Sequence, residues 1–115
     1  SGKCVSITNT ADNDARWIQQ IDGLTPGTVY RFSGWVKGES ISNNGTRGAN
    51  ICLMGGFESS SEFFSGTGTF DWTRVEFTFE APSSGTVTVG ARLGFYGSTV
   101  TGKAWFDDLE IMPVQ

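Results

Sequence analysis

Apolar and polar residues alternate in short runs along the whole chain, and no stretch shows a helical period. The clearest run leaves a Leu24-Thr25-Pro26-Gly27 turn, where proline presets one φ and glycine accepts a positive one. On the strand that follows, Tyr30, Phe32 and Val36 share one face, while Arg31, Ser33, Trp35 and Lys37 share the other. Residues 72–80 turn Val75, Phe77 and Phe79 inward and Arg74, Glu76, Thr78 and Glu80 outward. Residues 86–95 turn Val87, Val89, Ala91 and Leu93 inward; outward Thr88, Gly90, Arg92 and Gly94 include two bare glycines that another surface can approach. Residues 49–54 separate Ala49, Ile51 and Leu53 from Asn50, Cys52 and Met54.

Residues 3–8, 15–22 and 103–112 complete a set of seven predicted strands. The register of 15–22 has two readings. Trp17, Gln19 and Ile21 share one parity, whereas a bulge between Ile18 and Ile21 would send both isoleucines inward and leave Trp17 outward. Between strands, 9–14 reads as an Asx-rich loop, and Asn44-Gly45 within 42–48 as a hairpin. The long 55–71 loop carries Phe57, Phe63, Phe64 and Phe70, an apolar load that predicts folding back over a sheet edge or end. The fold class expected is all-β: an antiparallel sandwich of jelly-roll type, with two sheets and essentially no helix.

Composition narrows the function. The 115 residues suit one domain, and a net charge of −4 disfavours nucleic acid and anionic membranes as partners. No apolar run approaches the ~20 residues that span a bilayer, and no charged-then-apolar leader opens the chain, which reads as a module excised from a longer protein. Cys4 and Cys52 are either one bridge or two small hydrophobes. Catalysis is not expected: histidine, a Gly-x-Ser-x-Gly elbow and a phosphate loop are all missing. Glu76 and Glu80 share a strand face, but as a solvated charged face, and Glu58 and Glu62 lie in the long loop.

Three segments taken together, GLTPGTVYRFSGWVKGE, FDWTRVEFTFEAP and GKAWFDDLEI, resemble the jelly-roll carbohydrate-binding modules of families 4, 9, 16 and 22. The resemblance spans nearly all of residues 1–115 as a single module and implies non-catalytic binding of plant polysaccharide by a secreted bacterial protein. It implies a covalently linked glycoside hydrolase as neighbour, a monomer, and a β-1,4 or mixed-linkage glucan or xyloglucan as ligand. The alternative is a structural or adhesive sandwich domain that binds a protein partner. Such modules usually begin with an Asn-Gly-Phe-Glu segment that helps form a structural calcium site with the last strand; this chain begins after it.

Sugar recognition needs flat apolar platforms for pyranose C–H faces and planar polar groups for the hydroxyl rim. Trp35, opposite in parity to Tyr30 and Phe32, is the first candidate platform; otherwise it covers a loop. Trp17 is a platform or a core residue. Trp105 has the parity of Leu109 and Ile111 and is core unless a bulge precedes Asp107-Asp108, while Trp72 is assigned to structure. Tyr96, beside outward Arg92, is a rim contact, and Arg31, Arg92, Gln19, Gln20 and Asn50 are hydroxyl partners or solvated surface residues. Asp107 and Asp108 cannot face the same way on a regular strand. One of them is a Ca²⁺ ligand, or it caps loop amides or pairs with Lys103. Asp12, Asn13 and Asp14 lack the glycine and terminal glutamate of an EF-hand loop and read as a surface Asx turn.

Overall fold

The computed structural model describes residues 4–42, 47–56, 58–62 and 64–114. Seven strands form among the described residues: β1 (Cys4–Asn13), β2 (Ala15–Ile21), β3 (Val29–Ile41), β4 (Ala49–Leu53), β5 (Gly68–Glu80), β6 (Val87–Leu93) and β7 (Val100–Pro113). They make a β-sandwich of two antiparallel sheets, ordered β1-β7-β3-β5 and β2-β6-β4. Among the described residues the helical content is one 3-10 turn, Ser60–Glu62, and no helix is long and apolar enough to cross a membrane.

Alternation builds the core as expected. Phe32 and Val36 of β3, Val75, Phe77 and Phe79 of β5, and Val87 to Leu93 at alternate positions of β6 meet between the sheets. Phe32 and Phe77, directly opposite in register, pack edge to face with centroids 5.7 Å apart. The entry to β3 is pinned by the Pro-Gly turn. Gly27 has φ 81°, the Thr28 amide donates to the Thr25 carbonyl, and the buried Tyr30 hydroxyl accepts from the Thr25 amide at 2.8 Å.

Several expectations change at the boundaries. The polar stretch 9–13 belongs to β1 rather than to a loop, because the buried Asn9 amide donates to the carbonyls of Asn13, Leu93 and Val100 and thereby extends the strand. β5 starts at Gly68, taking Phe70 out of the predicted loop to lie opposite Gly38. The Asn44-Gly45 hairpin, Phe57 and Phe63 fall outside the described residues. β2 has no bulge: its pairing with β6 is continuous from Ala15 to Ile21, so Trp17 and Gln19 share the core-side parity and Ile18 faces out, 60% exposed.

β7 carries the decisive irregularity. Ser33 pairs with Glu110 and Trp35 with Asp107, so β7 holds one extra residue where β3 holds none, and Asp108 takes up the slack at φ 51°. The insertion reverses parity along β7. Trp105 and Asp107 face outward on one side of it, and Leu109 and Ile111 face inward on the other. Gly34 leaves the room that the Leu109 side chain occupies.

Two substitutions separate packing from backbone strain in urea unfolding. Phe32→Ala is expected to cost ~3–5 kcal/mol by opening a cavity. Gly27→Ala is expected to cost about 1 kcal/mol from the left-handed backbone alone, since a Cβ there meets nothing within 4 Å.

Candidate functional site

The outer face of the four-stranded sheet displays three indoles. Trp35 (40% exposed) and Trp72 (39%) lie on the neighbouring strands β3 and β5, and half-buried Trp105 lies on β7 opposite Lys37. Trp72, assigned to structure from the sequence, is therefore also a surface aromatic. Lys37 and Lys103 place their ammonium groups 5.5 Å and 4.8 Å from the Trp105 ring centroid, which occupies that ring with cations. Arg31 on the same face pairs with Glu76 at 3.3 Å, and Glu76 also takes Arg74. Arg31 and Arg74 thus share one carboxylate of the same face.

Between the sheets, at the β1 and β2 side, the described residues leave an opening. Among them β2 is a sheet edge, and β1 pairs with β7 from Asn13 to Cys4. Two clefts of ≈ 760 Å³ and ≈ 490 Å³ open there and share Val5, Gln19, Leu109 and Glu110, so they form one continuous groove. Trp35 lines one end, with Asp107 and Asp108, and Trp17 lines the other. Trp17 is 58% exposed, and its indole N–H donates to the Ser6 carbonyl at 3.1 Å, fixing the ring across the mouth between β2 and β1. The structure thus brings together Trp35, Trp17, Gln19 and the aspartate pair. It adds Glu110, which parity arguments missed because its position depends on the β7 insertion.

The outer face of the three-stranded sheet holds the remaining candidates in a different state. Gln20 is exposed and donates to the Asp22 carboxylate. Arg92 is 1% exposed and Asn50 is fully buried, so neither offers its side chain to solvent. Asn50 donates to the Gly48 and Gly94 carbonyls and accepts from the Ser59 hydroxyl. Arg92 forms a two-pronged pair with Asp14, with Nε 2.7 Å from one carboxylate oxygen. Those hydrogen bonds outweigh burial and hold the guanidinium more firmly protonated than usual. Asp14, read as part of a surface Asx turn, is thus an ion-pair partner. Tyr96 lies over Arg92, 46% exposed. The outward Gly94 is approached by this chain's own Asn13, Asp14 and Ser98, rather than by an outside surface.

Both cysteines are free thiols. Cys4, opposite Asp107, lies on the outer face of one sheet and Cys52, opposite Gly90, on the outer face of the other, which rules out an internal bridge. For calcium, the Asp107 carboxylate accepts from the Asp108 amide, and among the described residues no three acidic, histidine or cysteine side chains gather.

Burial raises the Cys52 thiol pKa, since the thiolate is the form that desolvation penalises. Cys4 is accordingly expected to react with iodoacetamide at pH 8 in the native protein, and Cys52 only after unfolding. Peptide mapping of singly labelled protein checks this; equal labelling of both would contradict the burial of Cys52.

A family model described as a carbohydrate binding domain matches residues 1–97. None of the curated proteins compared matches the chain. Among solved structures, one described as "CBM4 structure and function" superposes with a TM-score of 0.63 at 20% identity, covering 99% of this chain and 73% of that one. The enzymatically active domain of tailspike protein 4 from bacteriophage CBA120 superposes at TM-score 0.52 and 11% identity, covering 97% of this chain and 19% of that one. At these identities the two structures speak for the fold.

Proposed function

Since the chain belongs to the carbohydrate-binding domain family, a family of non-catalytic modules, we propose that it binds β-1,4 or mixed-linkage glucans, xyloglucan and cello-oligosaccharides included. The observation that supports this reading is the groove that carries Trp35 and Trp17 at its two ends and Gln19 and Glu110 in the shared stretch between them. An indole that loses on the order of 60–80 Å² to a pyranose ring contributes about 1.5–2 kcal/mol. Two such contacts with a few hydrogen bonds reach ~5–7 kcal/mol, a dissociation constant between roughly ten micromolar and sub-millimolar. A net charge of −4 is no obstacle to a neutral glycan, which needs no basic surface.

In the full protein the module acts outside a bacterial cell and holds an appended glycoside hydrolase on plant cell-wall polysaccharide. Weak contacts of this kind suit that task, because a polymer offers many equivalent positions to one site. A second reading, an adhesive domain that takes an extended protein segment, draws on β2 as an edge strand among the described residues and on exposed Ile18 and Leu109.

Native affinity electrophoresis against soluble mixed-linkage β-glucan, xyloglucan, xylan and mannan tests the proposal. Retardation by a glucan is expected, with Trp17→Ala and Trp35→Ala each weakening it about tenfold. An EDTA lane reports on calcium: retardation that disappears on chelation would assign the ion a role. Unchanged mobility of the parent on every gel would overturn glucan binding and favour the adhesive reading.

A further inference from the structure

The outer face of the four-stranded sheet carries two charges that the groove does not use. Among the described residues Arg16, Arg31, Arg74 and Arg92 each reach a carboxylate, whereas Lys37 and Lys103 form no ion pair. Both lysines aim at one indole instead, with their ammonium groups 5.5 Å and 4.8 Å from the Trp105 ring centroid.

Register explains the convergence. Lys37 of β3 is directly opposite Trp105 of β7, and Lys103 lies two positions before Trp105 on the same strand, so the three side chains share one face. Glu39 stands opposite Lys103 in register but does not pair with it. β1 borders the patch with hydroxyls: exposed Ser6 is opposite Trp105, and exposed Thr8 is opposite Lys103.

Two like charges on one half-buried ring attract the ring weakly and repel each other. An anion set among them is drawn by both. The indole asks for a flat apolar surface beside that anion, and the flanking hydroxyls ask for polar groups at its rim. A sugar acid combines these features in one unit: a pyranose C–H face, ring hydroxyls and a carboxylate. The net charge of −4 limits how densely charged the ligand can be, because no long-range field draws in a phosphate-rich polymer. The carboxylate is held by contact alone.

We propose that Lys37, Lys103 and Trp105 form a subsite for hexuronic acid units of an acidic polysaccharide, on the outer face of the four-stranded sheet. A neutral sugar has to displace the lysines from the indole. A uronate recruits them to its carboxylate, and the ring surface they leave takes the pyranose. The subsite goes beyond glucan binding and does not depend on it.

Titration of the ¹⁵N-labelled module with tetragalacturonate tests this, in low salt with EDTA to remove calcium cross-links. The chain has four tryptophans, so its indole N–H signals are assigned by substitution. The Trp105 signal is expected to shift while that of Trp17 stays in place. Lys37→Gln and Lys103→Gln are each expected to weaken binding about three- to fivefold, and Glu39→Gln to strengthen it about twofold. Trp105→Ala is expected to weaken it about tenfold, and about 0.5 M NaCl to remove most of it by screening. The methyl ester of the same oligosaccharide keeps the pyranose rings without the charge and is expected to bind roughly tenfold more weakly. Equal binding of acid and ester, or full affinity in both lysine variants, would overturn the proposal. An equal response to polyglutamate would mean that charge alone is read, and would reject the sugar. Thermal unfolding is measured on every variant, and the lysine variants carry the test if Trp105→Ala does not fold. Retention of β-glucan binding with no response to tetragalacturonate would reject this subsite alone; the converse would reject the glucan reading and support the subsite.

Discussion

One inserted residue in β7 decides what this sandwich shows to its surroundings. A regular strand would give Trp105, Leu109 and Ile111 the same face, so either the indole would enter the core or the aliphatic pair would leave it. By placing Asp108 in the left-handed region at φ 51°, the chain avoids both outcomes. A non-glycine residue there is uncommon, and aspartate is among the side chains that tolerate it best. The cost, ~1–2 kcal/mol for the left-handed backbone, is small against the burial gained by Phe106 and Ile111. Everything at the groove follows from it: Leu109 reaches over Gly34, Glu110 faces the opening, and Trp35 stands opposite Asp107.

Much of this was legible in the chain because period-two alternation is a local signal with a long-range consequence. Val75, Phe77 and Phe79 could only be the inner face of a strand that carries Arg74, Glu76 and Thr78 outside, and the sandwich follows from several such strands. The Pro26-Gly27 turn was equally local. Strand ends were harder to read. Asn9 looks like a loop residue by type, yet its three carbonyl partners lie as far away as Val100, and no neighbouring residue announces them. The β7 insertion is of the same kind, since the doubled aspartate permits it and only the pairing with β3 requires it.

The candidate sugar contacts divide along a similar line. Parity put Trp35 on a surface, and it is there. Arg92 and Asn50 have outward parity too, but outward from a sheet is not the same as toward water when other segments cover it. Ser59 and Ser60 of the long loop, and Phe95 with Tyr96, occupy that space. Trp17 shows the converse. It has inward parity but sits on an edge strand, where inward leads to the seam between the sheets instead of into the core. Exposure at such a seam is a property of the assembled sheets, and alternation within one strand carries no information about it.

Energetic scale explains why the aromatic residues here are anchored before any ligand arrives. A single indole contact near 1.5–2 kcal/mol is comparable to the ~0.5–1.5 kcal/mol that ordering one mobile side chain costs on association. A freely rotating platform would give back much of what it gains. Trp17 is tied by its N–H to Ser6, and Tyr96 is bounded by Arg92, Phe95 and the Gly55 amide. Trp105 is the contrasting case, because lysines hold that ring with their own charge, and a sugar must compete with them for the same face. A ring that is fixed yet uncovered has the least to lose when a sugar stacks on it, and by that criterion Trp17 and Tyr96 rank above Trp105 as candidates.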